Sequence, residues 1–355
     1  MSIRHFKYAS VYFSIGIIML SLIIGGKWIF VAPLYVFGLI PLIELFFGGT
    51  TVNMSKIEEE IARKDWKYDF IVWSVVPLQF AIMFYFLNRV SDDSLPLWEK
   101  LGMMFAFGIS CGVLGINLAH ELGHRNTWYE QLMSKMLLAT SLYLHFFIEH
   151  NRGHHKNVST DDDPASSRYG EMVYTFYFRS VINGWISAWH LESERLKKSN
   201  QSFWSIHNEM LLYQFIQIGM LATIALIWNW KVMLLFAGAA TVGFLLLETV
   251  NYIEHYGLRR KKIDGAYYEK VMPIHSWNSN HPIGRIMLFE LTRHSDHHYM
   301  ASRKYQILRH FDNSPQMPTG YPGMMVLSLF PPLWFAVMHK QIDKYKATVE
   351  GQALA

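Results

Sequence analysis

Cysteine is almost missing from this chain. Cys111 is the one such residue in 355, so no disulfide forms within the chain. With no Cys-x-x-Cys pair there is also no place for an iron–sulfur or rubredoxin-type centre. Any electrons the protein uses must therefore arrive on a separate carrier. Charge is scarce as well, at 17% of residues against about 25% in a typical soluble domain. Arg4 and Lys7 precede an apolar stretch from Tyr8 to Ile24 that resembles a signal peptide, but the small-residue cleavage pattern is lacking. Gly25-Gly26-Lys27 leads straight into another apolar run, so this stretch reads as a retained first span. Internal repeats and low-complexity segments are missing too, and the polar tail from about residue 340 is expected to be loose.

What is present is apolar length. Hydrophobic residues make up 51% of the chain and aromatic ones 15%. Runs near 9–26, 29–48, 69–88, 101–119, 211–229 and 232–250 each approach the roughly 20 residues that cross a bilayer. Basic residues orient them. Lys56, Arg63, Lys64 and Lys67 follow the second run, and Arg152, Lys156, Arg168, Arg179, Arg195, Lys197 and Lys198 lie in the long polar stretch 149–210. The stretches 89–100 and 228–231 carry few. By the positive-inside rule the N-terminus, 49–68, 120–210 and the C-terminal third are cytoplasmic, and six crossings satisfy all of these. A seventh apolar segment, 131–148, holds Ser134, Lys135, Ser141 and His145. If it crossed, the first two histidine clusters would fall on opposite sides, so it is expected to lie in the interface or under the bundle. The expected fold is all-α: one polytopic membrane domain over 1–355, with six transmembrane helices and a cytoplasmic-side helical cap carrying the histidines. Nothing calls for a nucleic-acid partner.

Nine histidines then stand out in four groups: His120-Glu-Leu-Gly-His124, His150-Asn-Arg-Gly-His154-His155, the single His255, and His294-Ser-Asp-His297-His298. Imidazole suits iron, zinc, copper and nickel, and nine are too many for one ion of four to six ligands, so two metals close together are expected. His120 and His124 share one helical face, as do His150 and His154, while His155 is turned about 100° away toward a second ion. His294, His297 and His298 can all point one way from a short helix. His255, alone beside tyrosines, reads more readily as a hydrogen-bonded structural residue, though its place just past the sixth run, on the same side as the others, favours a ligand somewhat. His-Glu-x-x-His is by itself also the zinc metalloprotease signature, though a zincin has no use for the further histidines. His5, His145, His190, His207, His275, His281, His310 and His339 lack chelating spacing and read as structural.

Two divalent ions amid neutral imidazoles carry four positive charges, so carboxylates are needed nearby. Glu121, Glu149, Glu254 and Asp296 sit beside the clusters and are candidates to accept from the outward imidazole N–H groups. Asp161-Asp-Asp-Pro-Ala-Ser166 lacks EF-hand spacing and reads as a turn or helix start. Arg259-Arg-Lys-Lys262 and Arg195/Lys197/Lys198 suit anionic headgroups or an acidic electron carrier. Gly108, Gly112, Gly115, Ala239 and Gly243 either let helices approach or leave room for substrate.

From about 30 to 335 the chain resembles the membrane-bound alkane monooxygenases of the histidine-rich di-iron superfamily, which also holds fatty acid desaturases and xylene monooxygenases. The three histidine boxes carry the broad likeness. The narrower one rests on Asn251-Tyr-Ile-Glu-His-Tyr-Gly-Leu258, His275-Ser-Trp-Asn-Ser-Asn280, Leu291-Thr-Arg-His-Ser-Asp-His-His298 and Pro318-Thr-Gly-Tyr-Pro-Gly323. Thr292 departs from the glutamine of many relatives and touches no expected ligand. The resemblance implies that His120, His124, His150, His154, His155, His255, His294, His297 and His298 bind two irons. It implies terminal hydroxylation of n-alkanes with O2 in a bacterial inner membrane, the site facing the cytoplasm. Electrons would come from a rubredoxin reduced by a flavin-dependent reductase. Rival readings are an aromatic methyl (xylene-type) hydroxylase or a lipid desaturase on the same scaffold, a zinc membrane protease built on His120-Glu121-x-x-His124, and a metal transporter.

Overall fold

The computed structural model describes residues 4–263, 265 and 267–353. Helix dominates. The strands among the described residues are a two-stranded antiparallel ribbon, Lys262–Ile263 beside Tyr267–Tyr268. Six helices are long and apolar enough to cross a membrane: Arg4–Ile24, Gly26–Glu44, Trp66–Val90, Leu97–Gly123, Glu209–Ile227 and Trp230–His255, here the first to sixth spans. The shortest have 19 residues, a rise of about 28 Å against a hydrocarbon core of about 30 Å. Their outward faces are apolar: Phe13, Leu34, Phe84, Phe215 and Leu226 are each more than half exposed, which lipid tolerates and water does not. Side-chain caps start two spans, Asp65 accepting from the Lys67 N–H at 3.2 Å and Asn208 from the Leu211 N–H at 3.1 Å.

The segment 131–148 forms no span. Its helix, Trp128–Ala139, has 12 residues and rises about 18 Å. It then breaks at a turn where Leu142 takes a φ of 51°. Ser134 Oγ donates to the Ala119 carbonyl at 2.6 Å, tying this helix to the end of the fourth span.

Two compact units interleave along the chain. One comprises Met1–Tyr35, Asp65–Gly153 and Asn183–Leu247; the other Val36–Lys64, His154–Ile182 and Glu248–Ala355. In the first, the fourth and sixth spans press backbone to backbone. A Cβ on Gly108 would lie 2.9 Å from the Ala239 carbonyl, on Gly112 3.0 Å from the Gly243 carbonyl, and on Gly243 2.5 Å from Cys111 Cβ. Gly108, Gly112, Ala239 and Gly243 therefore serve helix packing and leave no room for substrate. Just beyond, residues Cys111–Ile116 widen into a π-helical turn, the kind of irregularity that recurs near functional sites. The polar groups there are satisfied: Gln79 Oε1 accepts from Ser110 Oγ at 2.6 Å, and its Nε2 donates to Thr140 Oγ1 at 3.3 Å.

In the second unit the strings that carried the resemblance act as struts. Trp277, fully buried, donates from its ring to the Tyr256 carbonyl at 2.9 Å and from its backbone to the Glu254 carbonyl at 2.8 Å. Arg293 reaches the Leu308 carbonyl at 2.7 Å and the Val52 carbonyl at 3.1 Å. Gly284 N–H donates to Glu44 Oε1 at 2.7 Å, and a Cβ at Gly320 would collide with that same carboxylate. Two expectations change. The tail beyond 340 is helical, part of Pro331–Ala353, because Met338 and Ile342 are buried and Tyr345 Oη donates to the Asn313 carbonyl at 3.0 Å. And the polar stretch 149–210 holds a 26-residue helix, Val173–Lys198, whose exposed Tyr174, Phe178, Ile182 and Trp185 recur at helical spacing.

Candidate metal centre

In the first unit the fourth span carries His120 and His124 one turn apart at its end, and the chain returns through Phe146–Glu149 to bring in His150. His124 Nε2 lies 3.1 Å from His150 Nε2. The His120 ring centroid is 4.4 Å from that of His150 and 5.1 Å from that of His124. Phe146 stacks on His150 at 4.7 Å and forms an apolar wall. Glu121 is engaged by Arg125 Nη2 at 2.5 Å, and Arg125 also faces Asp69 at 3.3 Å. A metalloprotease base must be free to take a proton from water; Glu121 is held by a buried guanidinium instead. Glu149 is buried beside Gly153, where a Cβ would stand 2.8 Å from Glu149 Oε1, which explains the glycine within the second histidine box.

Six histidines gather in the second unit. His154, His255, His294 and His298 are all buried and offer ligand atoms within 4.8 Å of one another. Their Nε2 atoms converge: His154 to His298 is 3.2 Å, His298 to His294 2.8 Å and His294 to His255 3.3 Å. His155 and His297 pair separately, Nε2 to Nε2 at 3.2 Å. Thus His150 and His154 do not serve one group, and the third box divides, His294 and His298 facing one way while His297 meets His155. His255, ambiguous by spacing, is a full member.

The donor set fits a metal. Around an ion bound at about 2.1 Å, neighbouring nitrogens stand about 3.0 Å apart at right angles and about 3.4 Å apart at tetrahedral ones, which brackets most of the separations above. Ligand imidazoles must also be neutral. Burial, helped by the crowding of His294, His155, His154 and His255, holds His298 well below its ordinary value.

The carboxylates sort unevenly. Glu254 Oε2 lies 3.1 Å from His294 Nε2, on the convergent side of the ring, while the nearby Tyr321 hydroxyl donates to the Trp277 carbonyl at 3.3 Å. Asp296 takes its hydrogen bonds from Arg303 at 2.6 Å and the Arg309 N–H at 2.7 Å, and so braces the box rather than an outward ring nitrogen. The residue that sequence reasoning passed over is Asp163: its Oδ2 is 2.9 Å from His154 Nδ1. Burial works against the charged form of Asp163, but His154 and the Ser166 hydroxyl outweigh it and keep the carboxyl below the usual range. Elsewhere His275 pairs with Glu269 at 3.2 Å and His339 with Tyr256 at 3.0 Å, as structural histidines do.

Comparison with known proteins agrees with this geometry. A fatty acid desaturase family model matches residues 95–328. Alkane 1-monooxygenase 2 of Pseudomonas aeruginosa is 39% identical over 330 residues, 92% of this chain and 87% of that protein. Alkane 1-monooxygenase 2 of Alcanivorax borkumensis is 38% identical over 319 residues, 90% of this chain and 84% of its own. The xylene/toluene monooxygenase hydroxylase component of Pseudomonas putida is more distant, 26% identical over 75% of this chain and 71% of its own.

Proposed function

The chain belongs to the fatty acid desaturase family and, within it, to the alkane 1-monooxygenases, and on that footing we propose that it hydroxylates the terminal methyl of n-alkanes with O2. One oxygen atom enters the C–H bond and the other leaves as water, with two electrons and two protons consumed. The observation that carries this proposal is the convergence of four buried imidazoles, His154, His255, His294 and His298. These would hold one iron. The resemblance to the family implies a second iron among the remaining histidines of the boxes, in keeping with the turn between His154 and His155 along the helix. When bound, the irons supply oxygen activation and redox chemistry.

The chain's own residues supply placement. Neutral Nε2 donors face inward, and the Glu254 carboxyl lies beside that of His294 at 3.1 Å. An alkane has no polar handle, so shape must select its end. Apolar walls such as Phe146 over His150 exclude water there, and each buried methylene contributes about 0.8 kcal/mol toward holding the rest of the chain. Electrons would come from a rubredoxin and its flavin-dependent reductase, since the chain lacks a cysteine pair of its own. Basic loops point to a cytoplasmic site in a bacterial inner membrane, with 1–355 acting as a single oxygenase domain. Identity favours alkanes over xylenes, at 39% against 26%.

The test is to supply membranes containing the protein with reduced rubredoxin, O2 and a mixture of n-alkanes, xylene and fatty acyl-CoA. Primary alcohols from the alkanes are expected. Benzylic alcohol or desaturated acyl chains alone would overturn the substrate assignment.

A further inference from the structure

Between the second histidine box and the helix Val173–Lys198 runs the acidic segment Asp161-Asp-Asp-Pro-Ala-Ser-Ser-Arg168, which spacing alone marks as a turn. Its three aspartates have different surroundings. Asp161 and Asp162 are exposed, whereas Asp163 is buried and its side chain closed to solvent. Every oxygen of that carboxylate is taken. Oδ2 meets His154 Nδ1 at 2.9 Å and accepts from Ser166 Oγ at 2.5 Å, and Oδ1 accepts from the Ala165 N–H at 3.1 Å. The turn is itself clamped. Arg179 donates to the carbonyls of Pro164 and Ser166, both at 3.0 Å; Ser159 N–H donates to Ser166 Oγ at 2.7 Å; Ser167 Oγ donates to the Tyr252 carbonyl at 2.7 Å.

We propose that Asp163 is the positioning residue of the metal centre: it holds the proton of His154 on Nδ1 and so turns the Nε2 lone pair of His154 inward. Both partners of Asp163 besides His154 are donors, so the carboxylate can only accept there and His154 must donate from Nδ1. The neutral ring then has its free pair on Nε2, which stands 3.2 Å from His298 Nε2. A carboxylate behind a ligating imidazole fixes the ring and raises its basicity. This inference rests on His154 being a ligand, as proposed above, but its effect on the tautomer does not require metal.

Asp163→Asn gives a sharp test. The Ala165 N–H can only donate, whereas the Ser166 hydroxyl at Oδ2 can turn to accept, so the carboxamide places its oxygen toward Ala165 and its NH2 toward His154. His154 Nδ1 must then accept, its proton moves to Nε2, and ligation is blocked. Asp163→Ala removes the constraint without reversing it. The full-length protein, labelled with 15N-histidine and stripped of metal, would be examined by NMR, with His154→Gln identifying the resonance. The expected pattern is an Nδ1–H tautomer in the wild type, the Nε2–H tautomer in Asp163→Asn and a mixture in Asp163→Ala. Iron(II) affinity should fall roughly 10- to 100-fold in Asp163→Ala and further in Asp163→Asn, while the exposed Asp162→Ala retains the wild-type value. An unchanged His154 tautomer in both variants, or affinities within twofold of wild type, overturns the proposal. Failure of the di-iron assignment would look different: the wild-type protein would not retain iron, yet the tautomer would still respond to Asp163.

Discussion

Gly243 is the position at which helix packing and substrate room make opposite forecasts. A methyl there, in Gly243→Ala, would stand 2.5 Å from Cys111 Cβ and 3.3 Å from the Gly112 nitrogen. Carbon atoms in contact prefer about 3.5–4.0 Å, so the fourth and sixth spans must separate locally by about 1 Å. Neither neighbour can rotate aside, because Cys111 Cβ is bonded to the main chain and the Gly112 nitrogen belongs to it. Overpacking of this kind costs typically about 1–3 kcal/mol, or roughly a 5- to 150-fold smaller folded-to-unfolded ratio. Gly112→Ala strains the same seam through the Gly243 carbonyl at 3.0 Å, so the double variant should lose less than the sum of the two, the spans having already parted. Detergent-solubilised protein, unfolded by heat or by a graded SDS fraction, would give the stability difference. Product profiles from a ladder of n-alkanes would be measured on the same preparations. Lower stability with an unchanged length profile is the expected pair. Unaltered stability together with a shorter accepted alkane would refute the packing assignment and return Gly243 to a substrate channel.

Other consequences follow from the site and its supports. If the chain holds two irons as proposed, His255→Ala should leave one, read by metal analysis of purified protein; full retention would exclude His255 as a ligand. Arg125→Ala deprives the buried Glu121 and the half-buried Asp69 of their shared cation and should cost about 3–5 kcal/mol; a loss under about 1 kcal/mol would mean the pair is solvated. His145 is pushed down to about 4 by burial, from an ordinary 6.5. The unfolded chain therefore binds a proton that the folded one refuses between those values. Stability from this residue is full above pH 6.5 and declines by roughly 3 kcal/mol as pH falls to 4. Chelator-treated His145→Leu should lose that part of the acid slope, and identical slopes in variant and wild type would show that His145 is already hydrated.

Apolar run length and the i, i+4 recurrence of His120/His124 and His294/His298 are local properties. For that reason the six apolar helices and eight of the clustered histidines stood out without a structure, while the non-crossing of 131–148 followed from keeping the first two clusters on one side. The scarcity of cysteine was equally legible. The helix Val173–Lys198 was in principle readable too, from Tyr174, Phe178, Ile182 and Trp185, but Arg179 and Asn183 lower its hydropathy enough to hide it among polar residues. Helix periodicity says which residues share a face, not which distant residues that face will meet. It therefore placed His150 with His154 and His297 with His294, whereas tertiary contacts send His150 to His120 and His124, and His297 to His155. His255 became a ligand candidate in its own right only when the sixth span delivered it against His294. Asp163 sits among exposed aspartates of the same chemistry, nine positions along the chain from His154. Only the clamped turn, by burying one carboxylate of three against a ring nitrogen, decides which of them orients the metal site.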